Sequence, residues 1–229
     1  MWLLKSSVGR KVIMSVSGIA LILFLLFHMS MNLAALFSAD AYNAICKFLG
    51  ANWYALIATA GLAALVILHF VYAFILTMQN KKARGTQSYA YTKQPKEVEW
   101  ASQNMFVLGL IVLLGMGLHL YNFWANMQLV EILHIVGVHV DTTLATDGVY
   151  YIKETFGCWA YVILYLVWLV ALWFHLTHGF WSAMQTLGWN NQVWFNRWRC
   201  IGNIVSSIII LGFAAVVLVY ALCPCAGGC

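Results

Sequence analysis

Five of the seven histidines in this sequence lie inside long apolar runs, an unusual place for an ionisable side chain. They are His28, His69, His119, His175 and His178, and they fall in four different runs. Ionisable residues inside membrane helices are costly and usually functional, although a single histidine between helices can simply hydrogen-bond to a neighbour. Imidazole is also a common axial ligand of haem iron. The distribution of these residues over four runs therefore favours cofactor ligation over a purely structural role.

The apolar runs that carry the histidines determine the fold class. The chain is 63% hydrophobic and only 8% charged, whereas soluble domains carry about 25% charged residues. Five runs reach the roughly 20 residues that a membrane-spanning helix needs, namely 12–37, 54–78, 103–126, 157–187 and 201–222. We therefore predict an all-α membrane protein in which residues 1–229 form one domain, a bundle of five transmembrane helices. The longest connection between runs is 127–156, and its 149–152 stretch is a candidate for the membrane interface.

The basic residues predict how this bundle is oriented. Ten of the twelve fall on one side of the predicted topology: Lys5, Arg10, Lys11, Lys81, Lys82, Arg84, Lys93, Lys96, Arg197 and Arg199. Because basic residues concentrate on the cytoplasmic side of membrane proteins, we predict a cytoplasmic N-terminus and an external C-terminus. The net charge of +5 follows from this topology and does not indicate nucleic-acid binding.

The depth of each histidine follows from the rise of 1.5 Å per residue in an α-helix. His28 and His119 each lie about 24 Å from the inner ends of their helices, whereas the distances for His69 and His175 are about 14 and 18 Å. The first and third helices thus offer a pair in the outer half, and the second and fourth offer a pair in the inner half. Paired imidazoles across a bundle suit haem iron, so we predict two haems b. His178 is one turn from His175, and spacing does not choose between them.

Other metals and other functions fit the runs less well. Zinc and di-iron sites use carboxylates or thiolates, but no Asp or Glu lies within the five runs. A proton-driven transporter normally needs a titratable relay in the membrane; a haem-free transporter, which would lack haem absorbance, remains the alternative from another class. The cysteines of the tail, Cys223, Cys225 and Cys229, lack a nearby histidine and suggest a disulfide or a plain tail.

Small residues in the histidine-bearing runs would leave space for a flat porphyrin. They are Gly115, four residues before His119; Ala73, four after His69; Gly179, four after His175; and Gly18, ten before His28 and near the same helix face. Glycine and alanine also pack most membrane helix interfaces, so these residues are consistent with haem without requiring it.

Short stretches around the histidines occur in the order and spacing of a known family. They are Phe27-His28 with Asn32, Ala41-Tyr42-Asn43, Leu68-His69-Phe70-Val71-Tyr72, Gln87-Ser88-Tyr89, Leu118-His119-Leu120, Phe174-His175-Leu176-Thr177-His178-Gly179-Phe180-Trp181-Ser182 and Gly188-Trp189. Over about residues 11–220 the chain resembles the single-subunit, five-helix dihaem cytochrome b anchor of succinate dehydrogenases and fumarate reductases. The resemblance implies His28 and His119 as ligands of the outer haem and His69 and His175 as ligands of the inner haem. His178 is then placed to reach a propionate.

The resemblance also implies partners and a reaction. In that family of bacterial inner-membrane complexes, a flavoprotein subunit and an iron–sulfur subunit on the cytoplasmic side carry FAD and iron–sulfur clusters and interconvert fumarate and succinate. This chain would anchor them and exchange electrons with a quinone, typically menaquinone. We favour menaquinol oxidation coupled to fumarate reduction; the alternatives are the reverse reaction and a dihaem cytochrome b of a hydrogenase or formate dehydrogenase. Some relatives have a glutamate for proton transfer where this chain has Trp173.

Polar residues at the helix ends suggest where quinol and partners bind. A quinol site needs hydrogen-bond acceptors near a haem edge, and Asn32, Asn122 and Asn126 follow the outer ligands. Asp40 is the nearest carboxylate and the candidate proton acceptor; its alternative role is a solvated or helix-capping aspartate. Glu131 and His134 are the next candidates.

On the cytoplasmic side, Arg10 and Lys11, with Ser15, are placed to hold inner-haem propionates. The basic segment 81–96 is placed to meet a partner subunit, although these charges also set the topology.

Overall fold

The computed structural model describes residues 6–84 and 100–223, and of Arg84 it describes the backbone alone. Within these ranges the chain forms eight α-helices and no strand. The helices are α1 (Ser7–Leu33), α2 (Ala39–Phe48), α3 (Trp53–Arg84), α4 (Trp100–His119), α5 (Gln128–Ile135), α6 (Gly148–Phe156), α7 (Trp159–Thr186) and α8 (Trp194–Leu222). Five of them, α1, α3, α4, α7 and α8, are long and apolar enough to cross a membrane. The predicted all-α, five-helix architecture is confirmed.

Four of the long helices extend beyond at least one end of their apolar runs, and α3 and α8 extend furthest. Helix α3 continues through the polar residues after 78 to Arg84, and α8 begins at Trp194 rather than at 201. Hydropathy marks the part of a helix that suits lipid, but the backbone hydrogen bonds continue where good helix formers or interfacial aromatic residues follow. The predicted boundaries of 54–78 and 201–222 were therefore too short at these ends.

The connection 127–156 is not a simple loop. It contains α5 and α6, and α6 begins after Asp147, whose carboxylate accepts a hydrogen bond of 3.0 Å from the Tyr150 amide. Val149 and Ile152 are buried in the core, so these two side chains face the bundle; that 149–152 lies at the membrane interface stays a prediction. The segment packs against the bundle because its apolar residues recur at helical spacing.

Helix α7 lies at the centre of the bundle, where it packs against α1, α4 and α8, while α3 lies at the edge and packs on α1. The core between α7 and α8 consists of buried side chains that recur along each helix. They include Val162, Tyr165, Leu169, Leu172 and Leu176, three or four residues apart, on α7, and Ile209, Val216 and Tyr220 on α8. The Tyr220 hydroxyl donates a hydrogen bond of 2.7 Å to the carbonyl of Ala35. This contact joins the end of α8 to the 3₁₀ turn Ala34–Leu36 that follows α1.

We call the end of the bundle at which α1 and α8 stop the C-terminal side, and the end at which they begin the N-terminal side. Helices α2 and α6 pack together on the C-terminal side. There the side-chain amide of Asn43 donates to the Asp147 carboxylate (2.9 Å). The backbone amide of Val149 donates to Oδ1 of the Asn43 side chain (3.1 Å). These bonds fix a helical cap over the ends of the long helices.

Candidate functional site

The histidines of the long helices come together as two pairs. His28 of α1 and His119, the last residue of α4, have ring centres 5.8 Å apart and ring planes at 80°. His69 of α3 and His175 of α7 have ring centres 6.4 Å apart and planes at 70°. The pairing predicted from depth is confirmed: α1 with α4 towards the C-terminal side, and α3 with α7 nearer the N-terminal side.

The spacing of both pairs suits a metal ion between two imidazoles. A bond from a metal to an imidazole nitrogen is about 2.0–2.1 Å. Adding the distance from each nitrogen to its ring centre places the two ring centres about 6 Å apart. No group of three or more His, Cys, Asp or Glu side chains with metal-site geometry occurs among the described residues. Two imidazoles and no further ligand is the donor set that an iron already held by a porphyrin uses for its axial positions.

The His69 ring is oriented by Ser17 of α1. The Ser17 hydroxyl lies 3.0 Å from His69 Nδ1 and donates its own proton to the Met14 carbonyl, also at 3.0 Å. With its proton on the Met14 carbonyl, the hydroxyl can accept from Nδ1–H, and in that tautomer Nε2 is unprotonated and able to bind a metal. Metal-binding histidines are commonly oriented in this way. The sequence analysis predicted no residue that orients His69 and missed Ser17; Ser15, predicted for propionate contacts, is also buried.

His175 has an unsatisfied polar atom. Its Nδ1 is buried and has no hydrogen-bond partner among the described residues, a situation that costs about 1–3 kcal/mol. Gly109 of α4 faces the same ring, and a Cβ there would lie 3.7 Å from His175 Cε1. On the other side of the pair, a Cβ on Gly18 would lie 3.2 Å from His69 Cε1. The inner pair is thus flanked by two glycines, one from each neighbouring helix.

The predicted small-residue set is only partly associated with the histidines. Gly18 was assigned to the face of His28, but it lies against His69. Gly115 was assigned to His119, but the space over it is filled by the Trp168 indole. A Cβ on Gly179 would have no atom within 4 Å, and Gly109 was missed. The errors arise because sequence spacing gives position along a helix and does not give its neighbours.

Aromatic rings surround the pair nearer the C-terminal side. Ring centres 5.1 to 6.4 Å from His28 or His119 belong to Phe24, Phe123, Tyr165, Trp168 and Phe213. A π-helical turn, Leu120–Trp124, begins directly after His119, and such turns are frequent at functional sites. This pair therefore sits in a less polar environment than His69, which contacts a serine.

A polar link connects His28 to the cap. The Asn32 amide donates to the His28 carbonyl at 2.8 Å and lies 3.5 Å from both ring nitrogens of His28. The Tyr42 hydroxyl of α2 donates a hydrogen bond of 3.0 Å to Oδ1 of the Asn32 side chain. Burial raises the pKa of Tyr42 well above its usual value and that of Cys46, one turn further along α2, to about 11. Tyr42 therefore stays protonated at neutral pH and remains a donor.

The other residues predicted to lie around a quinone differ in burial and in hydrogen bonding. Asn122 is buried and donates to the Tyr165 hydroxyl at 3.2 Å, while Asn126 donates to the carbonyls of Tyr121 and Asn122. Both amides thus bond to the protein itself. Asp40 lies exposed in the first turn of α2. The cap of that helix is Ser38, whose hydroxyl accepts from the Ala41 amide, so the alternative of a capping aspartate is wrong.

An apolar groove lies on the surface of the bundle between the last turns of α1 and helix α2. It has a volume of about 440 Å³ and is lined by Phe27, Met31, Ala44, Ile45, Phe48 and Leu49. Asp40 precedes Ala44 by four residues and Phe48 by eight, so all three lie on one face of α2. The carboxylate of Asp40 therefore lies on the α2 face that forms the wall of this groove.

A second cavity, of about 330 Å³, lies between α2, the connection from α2 to α3, and α5. Lys47, Glu131 and His134 line it. The Glu131 carboxylate accepts a hydrogen bond of 2.9 Å from the Ala51 amide, just before α3 begins. A carboxylate at the start of a helix is stabilised by the helix dipole, which gives Glu131 a structural role.

The structure describes some of the residues that were predicted to act on the N-terminal side. Arg10 and Lys11 lie in the first turns of α1, and Lys81 and Lys82 are exposed near the end of α3. The His178 ring packs edge-on against Trp181, with ring centres 4.8 Å apart. Outside the described residues lie Lys5, Gln87-Ser88-Tyr89, Lys93, Lys96, Cys225, Cys229 and the side chain of Arg84.

Trp173 forms a hydrogen bond between two of the long helices. The Trp173 indole donates a hydrogen bond of 3.0 Å to the Ser207 hydroxyl and links α7 to α8. The position that carries a proton-transferring glutamate in some proteins of the resembled family therefore holds an uncharged cross-link here. Cys46, Cys158, Cys200 and Cys223 are free thiols.

Comparison of the chain with protein-family models, with curated protein sequences and with solved structures gives no match. A functional proposal therefore rests on the histidine geometry and on the motif resemblance.

Proposed function

We propose that this chain is a membrane-anchor cytochrome b that holds two haems b and passes electrons from menaquinol to flavin- and iron–sulfur-bearing partner subunits that reduce fumarate. The observation that carries the proposal is the two histidine pairs, with ring centres 5.8 and 6.4 Å apart, at two levels of a five-helix bundle. Two levels of one-electron carriers would form a path across the membrane.

Different residues would bind the iron and the propionates of each haem. His28 and His119 would ligate the haem nearer the C-terminal side, and His69 and His175 the other. Ser17, 3.0 Å from Nδ1 of His69, would hold that nitrogen and leave Nε2 to bind the iron. Arg10 and Lys11, with Ser15 and His178, are the candidates for propionate contacts at the N-terminal side, because cations and hydroxyls form strong hydrogen bonds with carboxylates.

The charge distribution supports a cytoplasmic N-terminal side. The basic residues Arg10, Lys11, Lys81 and Lys82 lie there, and such residues concentrate on the cytoplasmic faces of membrane proteins. The same surface is the proposed dock for the flavoprotein and iron–sulfur subunits in a bacterial cytoplasmic membrane. The C-terminal side, with its helical cap, would then face outward.

Quinol oxidation is proposed at the apolar groove between α1 and α2, on the C-terminal side of the bundle. Menaquinol is an apolar ring with an isoprenoid tail, and the groove is lined by apolar side chains. Oxidation of one quinol releases two electrons and two protons, so a proton acceptor must stand near the ring. Asp40 is the candidate acceptor because it lies on the groove-lining face of α2 and is exposed. Protons accepted there would leave to the outer side.

The test is haem content in the purified protein and in single-histidine variants. We expect two haems per chain in the native protein. His69→Ala or His175→Ala should remove one haem, and His28→Ala or His119→Ala the other. His134→Ala and His139→Ala are matched controls on exposed histidines and should keep both. A native protein without haem, or any ligand variant that retains both haems, would refute the proposal. Co-purified hydrogenase or formate dehydrogenase subunits would replace the proposed partners.

A further inference from the structure

The Trp168 indole of α7 occupies a notch in α4 at Gly115. A Cβ at position 115 would overlap Cγ, Cδ1 and Nε1 of the indole, so any side chain larger than hydrogen would expel it. The indole Nε1 donates a hydrogen bond of 3.0 Å to the Val112 carbonyl, one turn before the notch. The ring is therefore locked in place by both shape and a hydrogen bond to the helix that carries His119.

The indole lies between the two histidine levels. At one end its ring centre is 5.9 Å from that of His119, with the planes inclined by 34°. At the other end, its partner Val112 is about 4.5 Å along α4 from Gly109, and Gly109 faces the His175 ring. On its own helix Trp168 is about 10 Å from His175. The ring thus contacts one histidine pair and extends towards the other.

The four histidines differ in what orients them. His69 bonds to Ser17, and Asn32 lies against the ring nitrogens of His28. Within the described residues, no hydrogen bond to the His119 ring is seen; Phe123, Tyr165 and Trp168 pack around it instead. Of these three rings, Trp168 alone is fixed by both a notch and a hydrogen bond to α4 itself.

We propose that Trp168 is a positioning residue: it sets the plane of the His119 imidazole and fills the gap between the two cofactor levels with an aromatic ring. The inference rests on the proposed haem-binding function. A bulky ring packed against an imidazole restricts rotation of that imidazole, because interiors are close-packed and a rotation would require the indole to move. Gly115 is required because it admits the indole.

The test uses three variants that disturb the indole in different ways. Trp168→Phe keeps a ring and loses the bond to Val112, Trp168→Leu removes the ring, and Gly115→Ala expels the native indole from the opposite helix. We expect the apparent affinity of the haem at His28 and His119 to fall about tenfold for Trp168→Leu and Gly115→Ala, the lower end of the range for loss of a residue that orients a metal ligand. The change for Trp168→Phe should be smaller.

A spectroscopic readout separates positioning from general loosening. The electron paramagnetic resonance spectrum of a bis-histidine haem depends on the angle between its two imidazole planes, which is 80° between His28 and His119. The variants should shift the signal of that haem and leave the signal of the other unchanged. Trp173→Phe, which also removes one indole hydrogen bond on α7, is the matched control and should leave the signal from His28 and His119 in place.

The outcomes are distinct. Two haems in the native protein, with unchanged spectra and affinities in all three variants, would overturn the role of Trp168 and leave the proposed function intact. Equal loss of both haems would show that Trp168 only stabilises the fold, which also overturns the inference. A native protein without haem would refute the proposed function and the inference together. If Trp168→Leu fails to insert, Trp168→Phe and Gly115→Ala decide the matter.

Discussion

Replacing Ser17 by alanine should weaken the haem held by His69 and His175 while leaving its ligands in place. The Ser17 hydroxyl is the partner of His69 Nδ1, at 3.0 Å, and alanine removes it without changing the helix. The imidazole would lose its fixed tautomer, and its N–H would lose a partner in a half-buried position.

The size of the effect follows from this one bond. A net hydrogen bond is worth about 0.5–1.5 kcal/mol, and an unpaired buried polar group costs about 1–3 kcal/mol. About 1.4 kcal/mol corresponds to a factor of ten in affinity. Because the His69 ring is half-buried, we expect the affinity for this haem to fall about tenfold. This lies within the range of about 10–100-fold seen when partners of metal ligands are removed. Loss of the bond also makes His69 a weaker electron donor, so the midpoint potential of this haem should rise.

The assay is haem titration of the apoprotein in detergent, combined with a redox titration that resolves the two haems. Ser30→Ala is the matched control, because Ser30 lies on the same helix and its hydroxyl bonds only to the Leu26 carbonyl, at 2.8 Å. The control should bind both haems as the native protein does. If Ser17→Ala binds the haem of His69 and His175 with native affinity and potential, Ser17 does not orient a ligand and the tautomer assignment is refuted.

Three further predictions concern the glycines beside His69 and His175, the residue Asp40 and the basic residues of α3. Gly18→Ala places a Cβ 3.2 Å from the His69 ring, whereas Gly109→Ala places one 3.7 Å from the His175 ring, an ordinary contact; only the first should reduce haem content at that pair, and equal effects would contradict the geometry. Asp40→Asn should slow menaquinol oxidation about 100-fold, the lower end of the contribution of a positioned base, with both haem spectra and fumarate reduction from an artificial donor unchanged; native quinol turnover would exclude Asp40. Combined Lys81→Glu and Lys82→Glu should reduce co-purification of the partner subunits while membrane insertion stays normal, and native assembly would show that these charges serve topology alone.

The sequence by itself determined the five long helices and the pairing of the histidines. The apolar runs exceed the length that a membrane span requires, and an α-helix rises by a constant 1.5 Å per residue. Position along a helix can therefore be counted from the chain. That count placed His28 level with His119, and His69 close in depth to His175, before any contact between helices was known.

The tertiary structure alone decided which side chains meet around those levels. Ser17 contacts His69, Gly18 faces His69 rather than the side of His28, and the indole of Trp168 fills the notch at Gly115. These contacts depend on the rotation of each helix about its axis and on its position in the bundle. Both are set by the packing of all the helices together, in which side chains interdigitate. The depth of a residue is a property of one helix, whereas its neighbours are a property of the assembled bundle.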